Sequence, residues 1–376
     1  MHIIDLLIGV AFLFGTFIGS FLNVCVHRLP RNESVVTPPS RCYSCGTHLT
    51  WYDNLPVLGW LLVWGRCRWC KTPFSARYLW AELGVGALTA ATAWWVLRHG
   101  SPWLDIMPPV VALGLAFAAF LVLVWTLYVS SLIDIDHTII PDEITKSFQL
   151  FAPFMAVATG SCIAIEDPLP AHWLIKLDVF GSATYHPWQL LLMMGVVVGV
   201  AVTLLLASVP VARWIYTKFT ANAPWSDDDH RGFRLGVWWF TACTVVHFAV
   251  FAAVVLLQPG SWWVLAAVIL GQAILGSLAG WFSLYVVGFL GTMAFRRNAM
   301  GFGDVKFLAP LGAFLGPVGV LYAFFGAAIV GTIISLPMRL FKSTREVPFG
   351  PYLAVGALLA LVFGRGIHDR LFVGLL

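Results

Sequence analysis

Two groups of residues in this chain have the types and spacing to do chemistry. Four cysteines fall as Cys42-x2-Cys45 and Cys67-x2-Cys70, with 21 residues between the pairs. Two such pairs can place four thiolates around a tetrahedral Zn²⁺ at about 2.3 Å, and a site with four protein ligands and no open position holds a fold together instead of catalysing. The spacer lies just past the usual window for such pairs, and redox dithiols or plain free thiols are the other readings. The second group is carboxylates beside apolar segments. Asp134 and Asp136 occur in Ser131-Leu-Ile-Asp134-Ile-Asp136-His137 with Pro141-Asp142 following, and Asp304 occurs in Met300-Gly301-Phe302-Gly303-Asp304-Val305-Lys306. Two carboxyl groups sharing a site cannot both ionise easily, so one keeps a proton. The ionised partner can then deprotonate a water while the protonated one polarises a peptide carbonyl. That is aspartyl proteolysis, and such a pair titrates as one unit. Gly301 and Gly303 let backbone come close to a bound chain beside Asp304. On chemistry alone, helix capping and an ion path through a membrane stand as the competing roles.

The elements that must position these groups are membrane helices. Hydrophobic residues make up 60% of the 376 and charged residues 11%, against roughly 45–50% and about 25% in a soluble domain. With 18 Trp and 28 Phe as well, the composition excludes a water-soluble enzyme, a nucleic-acid binder and a disordered scaffold. A bilayer core of about 30 Å takes roughly 20 apolar residues as a helix. Such stretches lie at about 1–24, 79–97, 107–133, 147–165, 188–212, 237–257, 262–295, 307–337 and 349–363. The 307–337 run is too long for one crossing and contains Gly316-Pro317, where proline cannot continue an ordinary helix, so it reads as a hairpin of two. The expectation is an all-α polytopic protein of about ten spans with a small zinc-knuckle loop domain. With the loop 25–77 placed in the cytoplasm and sides alternating from there, 18 of the 22 Lys and Arg fall on that face, as the positive-inside rule requires. Both the cysteine loop and the two aspartate clusters then share the cytoplasmic side, a reducing compartment where structural disulfides are rare. The first segment has neither a basic n-region nor a small-residue cleavage site, and reads as an anchor.

Taken together, the motifs resemble the type IV prepilin peptidase family, the bifunctional leader peptidase/N-methyltransferases. The matching residues are Gly19-Ser-Phe-Leu-Asn-Val24, His27-Arg-Leu-Pro30 and the cysteine pairs enclosing Trp51-Tyr-Asp-Asn54-Leu-Pro56. Gly65-Arg-Cys-Arg68, Arg77-Tyr78 and Glu82 follow, then Asp134 with Pro141-Asp142, Gly301-Phe-Gly-Asp-Val-Lys306 and Pro348-Phe-Gly-Pro351. The resemblance implies an intramembrane aspartic endopeptidase of the Gly-x-Gly-Asp type with Asp134 and Asp304 as the catalytic pair, and Asp136 as the rival for the first role. It implies Gly301, Gly303, Asp136 and Lys306 as supporting residues and Cys42, Cys45, Cys67 and Cys70 as metal ligands. Prepilin and pseudopilin substrates of type IV pilus and type II secretion systems follow from it, as do a bacterial inner-membrane location, a lipid bilayer surround and no nucleic-acid partner. S-adenosylmethionine enters by resemblance alone, because no glycine-rich nucleotide fingerprint is present. A basic leader would suit Asp136, Asp142 and Glu143.

The expected layout is a first helix at 1–24, the cysteine loop at 25–77 and the peptidase portion at 78–376. That portion carries an extra-helix insertion at about 164–260, because four spans instead of the family's two separate Asp134 from Asp304. An even number of added spans keeps both aspartates on one side. Asp227-Asp228-Asp229-His230 reads as a solvated loop within it. A transporter using the aspartates as an ion path, or an assembly factor with a zinc docking loop, is the alternative function. Elsewhere, Gly271, Gly276, Gly280, Gly288 and Gly291 suggest close helix packing, the Trp pairs 94–95, 238–239 and 262–263 read as interfacial anchors, and His247 reads as a packed, hydrogen-bonded residue. Cys25, Cys162 and Cys243 read as small buried hydrophobes.

Overall fold

A lipid-embedded backbone must satisfy its own hydrogen bonds, which favours helices, and helices are what the computed structural model shows. It describes residues 2–101, 103–104, 106–160, 187–219, 227–257, 263–296, 299–342, 348–368 and 370. Among these the chain forms no named strand, only isolated bridges pairing Arg41 with His48 and Arg66 with Pro73. It divides into two compact units, Met1–Pro141 and Asp142–Leu376.

The first unit holds α1 (His2–Arg28), a short 3₁₀ turn at Leu29–Arg31, the cysteine loop with its one-turn α2 (Leu58–Leu62), α3 (Arg77–His99) and α4 (Pro109–His137). Helices α1 and α3 pack closely because small residues face each other: an ideal Cβ at Gly19 would lie 2.8 Å from the Glu82 Cα. That close approach is how helices associate where water offers no driving force. Trp125 on α4 donates its indole N–H to Thr89 Oγ1 on α3 at 3.1 Å, and Tyr128 donates to the Ala81 carbonyl at 3.3 Å.

The second unit holds α5 (Asp142–Thr159), α6 (Pro187–Phe219), α7 (Asp227–Leu257), α8 (Trp263–Phe295), α9 (Phe302–Lys342) and α10 (Gly350–His368). Helix α9 packs on α8, α10 and α5. Gly276 and Gly312 make the α8–α9 contact possible, since an ideal Cβ at either would fall about 2 Å from the other's carbonyl oxygen. Phe240 stacks on Trp281 with ring centroids 4.4 Å apart, and both are essentially fully buried with Phe307 and Phe314.

Helix α9 bears out the bend expected at Gly316-Pro317. Gly316 sits at φ 68°, ψ 172°, outside the helical region. The second arm turns back so far that Val320 Cγ2 lies 3.1 Å from the ideal Cβ position of Gly312; eight residues of straight helix would span about 12 Å. Among the described residues six helices are long and apolar enough to cross a membrane, within Ile3–Arg31, Pro109–His137, Leu191–Trp214, Asp228–Leu257, Leu265–Phe295 and Phe302–Pro337, with Gly350–Gly364 as a shorter apolar stretch. The segments expected at 79–97 and 147–165 are helical as α3 and α5, but they are not among those six. Asp227–His230 opens α7 instead of lying in a loop, where acidic residues are favoured by the helix dipole. The first part of the expected insertion, 164–186, lies outside the described residues.

Candidate active site and metal centre

The two cysteine pairs are brought together. Their four Sγ atoms all lie within 4.8 Å of one another, with Cys42–Cys70 at 3.7 Å and Cys45–Cys67 at 4.0 Å. A tetrahedron of sulfurs about 2.3 Å from a central ion has edges of about 3.8 Å, so the cluster has the dimensions of a Zn²⁺ site. Each pair is presented by the same turn. Cys42 N–H donates to the Thr47 carbonyl and Gly46 N–H returns to the Cys42 carbonyl; Cys67 with Thr72 and Lys71 with Cys67 repeat the pattern. Gly46 at φ 72° and Lys71 at φ 60° occupy the same left-handed position. This duplication is readable in the sequence as Arg-Cys-x-x-Cys-x-Thr at 41–47 and 66–72, a signal beyond the bare Cys spacing. The Thr47 and Thr72 hydroxyls sit 3.3 Å from the Sγ of Cys45 and Cys70. Hydrogen bonding from Thr72 brings the Cys70 thiol down to about 6, towards the thiolate that a metal requires.

The rest of the loop is fastened to this cluster. Arg68, inside the second pair, grips Asp53 Oδ1 through Nε and Nη2 at 3.1 and 2.7 Å, and Thr50 donates to Asp53 Oδ2 at 2.6 Å. Burial works to raise the Asp53 carboxyl, but these bonds hold it below the usual range. Glu82 on α3 accepts the Val57 N–H at 2.7 Å. Val57 is a β-branched residue at φ 62°, ψ −55°, a conformation that persists only where its surroundings dictate it. Arg28 at the end of α1 donates to the Ser34 and Pro38 carbonyls at 2.9 and 2.8 Å. Between α1, the loop and α3 these contacts leave a cavity of about 470 Å³. Sequence reasoning did not anticipate it, because it is formed by residues from 20 to 82 whose proximity depends on the loop's tertiary path.

The carboxylates sort by burial and partner. Asp134 lies in the last turn of α4 and is only 5% exposed; with Glu82 it is one of the two buried acidic residues among those described. Its carbonyl accepts the N–H of Thr138, whose φ of 53° ends the helix. Asp136, two residues on, is solvent-accessible and held by Arg77, with oxygen–nitrogen distances of 2.8 and 2.7 Å. Asp304 lies in the first turn of α9, its N–H donating to the Gly301 carbonyl at 3.2 Å. Its Oδ2 lies 3.5 Å from where a Cβ on Gly301 would be, so the glycine keeps that side of the carboxylate uncovered. Lys306 pairs with Asp142 Oδ1 on α5 at 2.5 Å, and its ammonium lies 4.8 Å from the Phe302 ring centre. Asp142 also takes Lys146 at 2.9 Å. Burial would raise the Asp142 carboxyl, yet the two lysines hold it below the usual value. Asp136 and Asp142 therefore each have a cation of the chain beside them. His247 is 1% exposed with its Nε2 2.9 Å from the Leu150 carbonyl, as expected. Cys25 and Cys243 are buried free thiols, while Cys162 lies outside the described residues.

Helices of membrane-spanning length, a four-cysteine cluster that could hold a metal ion and a buried aspartate at a helix end describe a multi-pass membrane protein. Two family models match: the bacterial peptidase A24 N-terminal domain over residues 13–96 and the type IV leader peptidase family over residues 226–336. The chain belongs to the type IV leader peptidase family, the two matches together taking in just over half of it. The first match contains all four clustered cysteines and the second contains Asp304, whereas Asp134 falls between them. The prepilin leader peptidase/N-methyltransferase of Stutzerimonas stutzeri is 24% identical over 95% of this chain and 91% of its own. That of Pseudomonas aeruginosa is 25% identical over 94% and 90%, and that of Myxococcus xanthus is 38% identical over 40% of each chain. No solved structure matches.

Proposed function

We propose that this chain cleaves the leader peptides of type IV prepilins and pseudopilins and methylates the new N-terminus. The observation that carries the peptidase reading is the contrast at the end of α4: Asp134 is buried while Asp136 is solvent-accessible and paired to Arg77. A carboxyl withdrawn from water is poised to hold or exchange a proton. By the family resemblance Asp134 and Asp304 are the catalytic pair, Gly301 and Gly303 give the substrate backbone access to Asp304, and Asp136 and Lys306 serve through their partners. One carboxylate takes a proton from the attacking water, and the other, protonated, donates to the scissile carbonyl; the proton then passes to the leaving amine.

The reading extends to the rest of the chain. Cys42, Cys45, Cys67 and Cys70 hold one structural Zn²⁺, supported by the sulfur spacing, and the 25–77 loop is the methyl-transfer portion. When bound there, S-adenosylmethionine would be the source of the methyl group, and the new N-terminal amine would give up a proton on accepting it. The chain crosses the bacterial inner membrane about ten times with its working face in the cytoplasm, supported by the charge bias of its loops. The insertion at about 164–260 preserves that sidedness. The test is incubation of the purified chain with a prepilin, comparing wild type with Asp134→Asn and Asp304→Asn. Cleavage by wild type and by neither variant is expected. An uncut prepilin with wild type, or normal cleavage by both variants, refutes the reading.

A further inference from the structure

The cavity of about 470 Å³ beneath the cysteine loop is of a size that holds a small ligand, since such sites run from roughly 300 to 1,000 Å³. Its lining is unusual in two ways. Aromatic side chains from three separate segments face it, among them Tyr43, Trp60 and Tyr78, which provide flat surfaces for a heteroaromatic ring and for a cation. It is also lined by charges of both signs. Arg28 is committed to two backbone carbonyls, Arg68 to Asp53 and Glu82 to the Val57 N–H. Glu33 and Arg41 also line the cavity, are exposed, and make no ion pair among the described residues.

A carboxylate and a guanidinium outside any ion pair among the described residues, with His27 near Glu33, match the ammonium and carboxylate of a free amino acid. A lipid chain would need neither charge. A peptide's N-terminal amine followed by apolar residues would use Glu33 and leave Arg41 without a role. Resting on the methyl-transfer reading above, we infer that this cavity is the methyl-donor site: Arg41 takes the methionyl carboxylate, Glu33 the methionyl ammonium, and the aromatic walls the adenine ring and the sulfonium. The strained Val57 turn, held by Glu82, forms part of the frame that keeps the cavity open.

The full chain in detergent micelles is titrated with S-adenosylmethionine and S-adenosylhomocysteine by isothermal calorimetry, alongside Arg41→Gln, Glu33→Gln, Ser40→Trp (which fills the cavity) and Arg98→Gln on the far end of α3. The expected result is wild-type affinity for Arg98→Gln and about 10- to 100-fold weaker binding for Arg41→Gln, the range for losing a hydrogen bond to a charged group. Glu33→Gln weakens it similarly, and Ser40→Trp abolishes it. The melting transition measured without donor separates lost binding from lost folding. If Ser40→Trp does not fold, the two charge variants decide through a raised KM for donor at an unchanged KM for the acceptor peptide. A wild type that methylates its product while all three cavity variants bind donor normally overturns the cavity assignment alone. A raised acceptor KM with normal donor affinity also overturns it, in favour of a peptide site. A wild type that neither binds donor nor methylates overturns the methyl-transfer reading itself.

Discussion

Lys306 and Asp142 offer the sharpest quantitative test of how the Gly-x-Gly-Asp turn is held. The Lys306 side chain is 14% exposed and that of Asp142 38% exposed, with 2.5 Å between charged atoms. Removing either member should not cost the same. Lys306→Met leaves Asp142 with Lys146 at 2.9 Å, so the loss resembles that of a surface pair, about 1 kcal/mol. Asp142→Asn leaves the less exposed ammonium without a carboxylate, against the Phe302 ring, and breaking a buried pair from that side costs more; allowing for partial exposure, about 2–3 kcal/mol. If the whole penalty falls on productive positioning of Asp304, prepilin cleavage falls about 5-fold for Lys306→Met and about 30- to 150-fold for Asp142→Asn. The double variant should recover part of the Asp142→Asn loss, giving a coupling of about 1–2 kcal/mol. The assay is initial cleavage rate under kcat/KM conditions, with melting temperature as a parallel measure of stability. The pH dependence follows the sign of the shift: because Asp142 is held below its usual carboxyl value of 3.8, its contribution stands in full above that value and is lost as pH falls through the lower folded value. The stability gap between wild type and Asp142→Asn should therefore be flat from pH 5 to 8 and close below about 4. Equal losses for the two single variants, or a double variant whose loss is the product of theirs, would show that the pair does not position the turn.

Asp134→Asn should lower cleavage at least about 10²- to 10⁴-fold, the contribution of a proton-transferring group, whereas Asp136→Asn, which removes an exposed pair with Arg77, should cost about 1 kcal/mol or less; comparable losses at the two positions would count against the assignment. Cys42→Ser or Cys67→Ser should release zinc, read by metal analysis of the purified chain, and lower its melting temperature, because metal binding is part of the loop's folding energy; stoichiometric zinc in both variants would remove the metal from the account. Chelation of the wild type should open the cavity frame and weaken donor binding; unchanged donor affinity in metal-free protein would separate the two sites.

How much of this was legible in the sequence depends on the range of the contact. The helices, the bend at Gly316-Pro317 and the buried, hydrogen-bonded His247 follow from local pattern: apolar length, a proline without an N–H, an isolated polar residue. The cysteine cluster was equally readable, because two knuckles carry their own geometry and need only meet. The partners of the carboxylates were not readable. Arg77 lies 59 residues from Asp136 and Lys306 lies 164 from Asp142, so spacing within either motif says nothing about the pairing. Hence Arg77 beside Asp136 and Lys306 beside Asp142 come from distant segments, and Glu143 alone of the three acids named for a basic leader has no such pair among the described residues. The start of α7 at Asp227 was missed for a related reason: a run of three aspartates reads as solvated, yet at a helix N-terminus the same charges favour the helix.

These partners also refine the rule that an acidic residue near the bilayer marks a functional site. Glu82 and Asp134 are both buried at helix ends near the same face, and the rule alone would rank them equally. Glu82 gives one oxygen to the Val57 N–H at 2.7 Å, fixing a turn that valine would not otherwise adopt. Its carboxylate is thereby committed to architecture, since withdrawing it would leave a backbone donor unanswered in a strained turn. Burial and partner together say what an acidic residue does in the fold: Glu82 shapes the loop above α3, and Asp136 and Asp142 tie helices through cations.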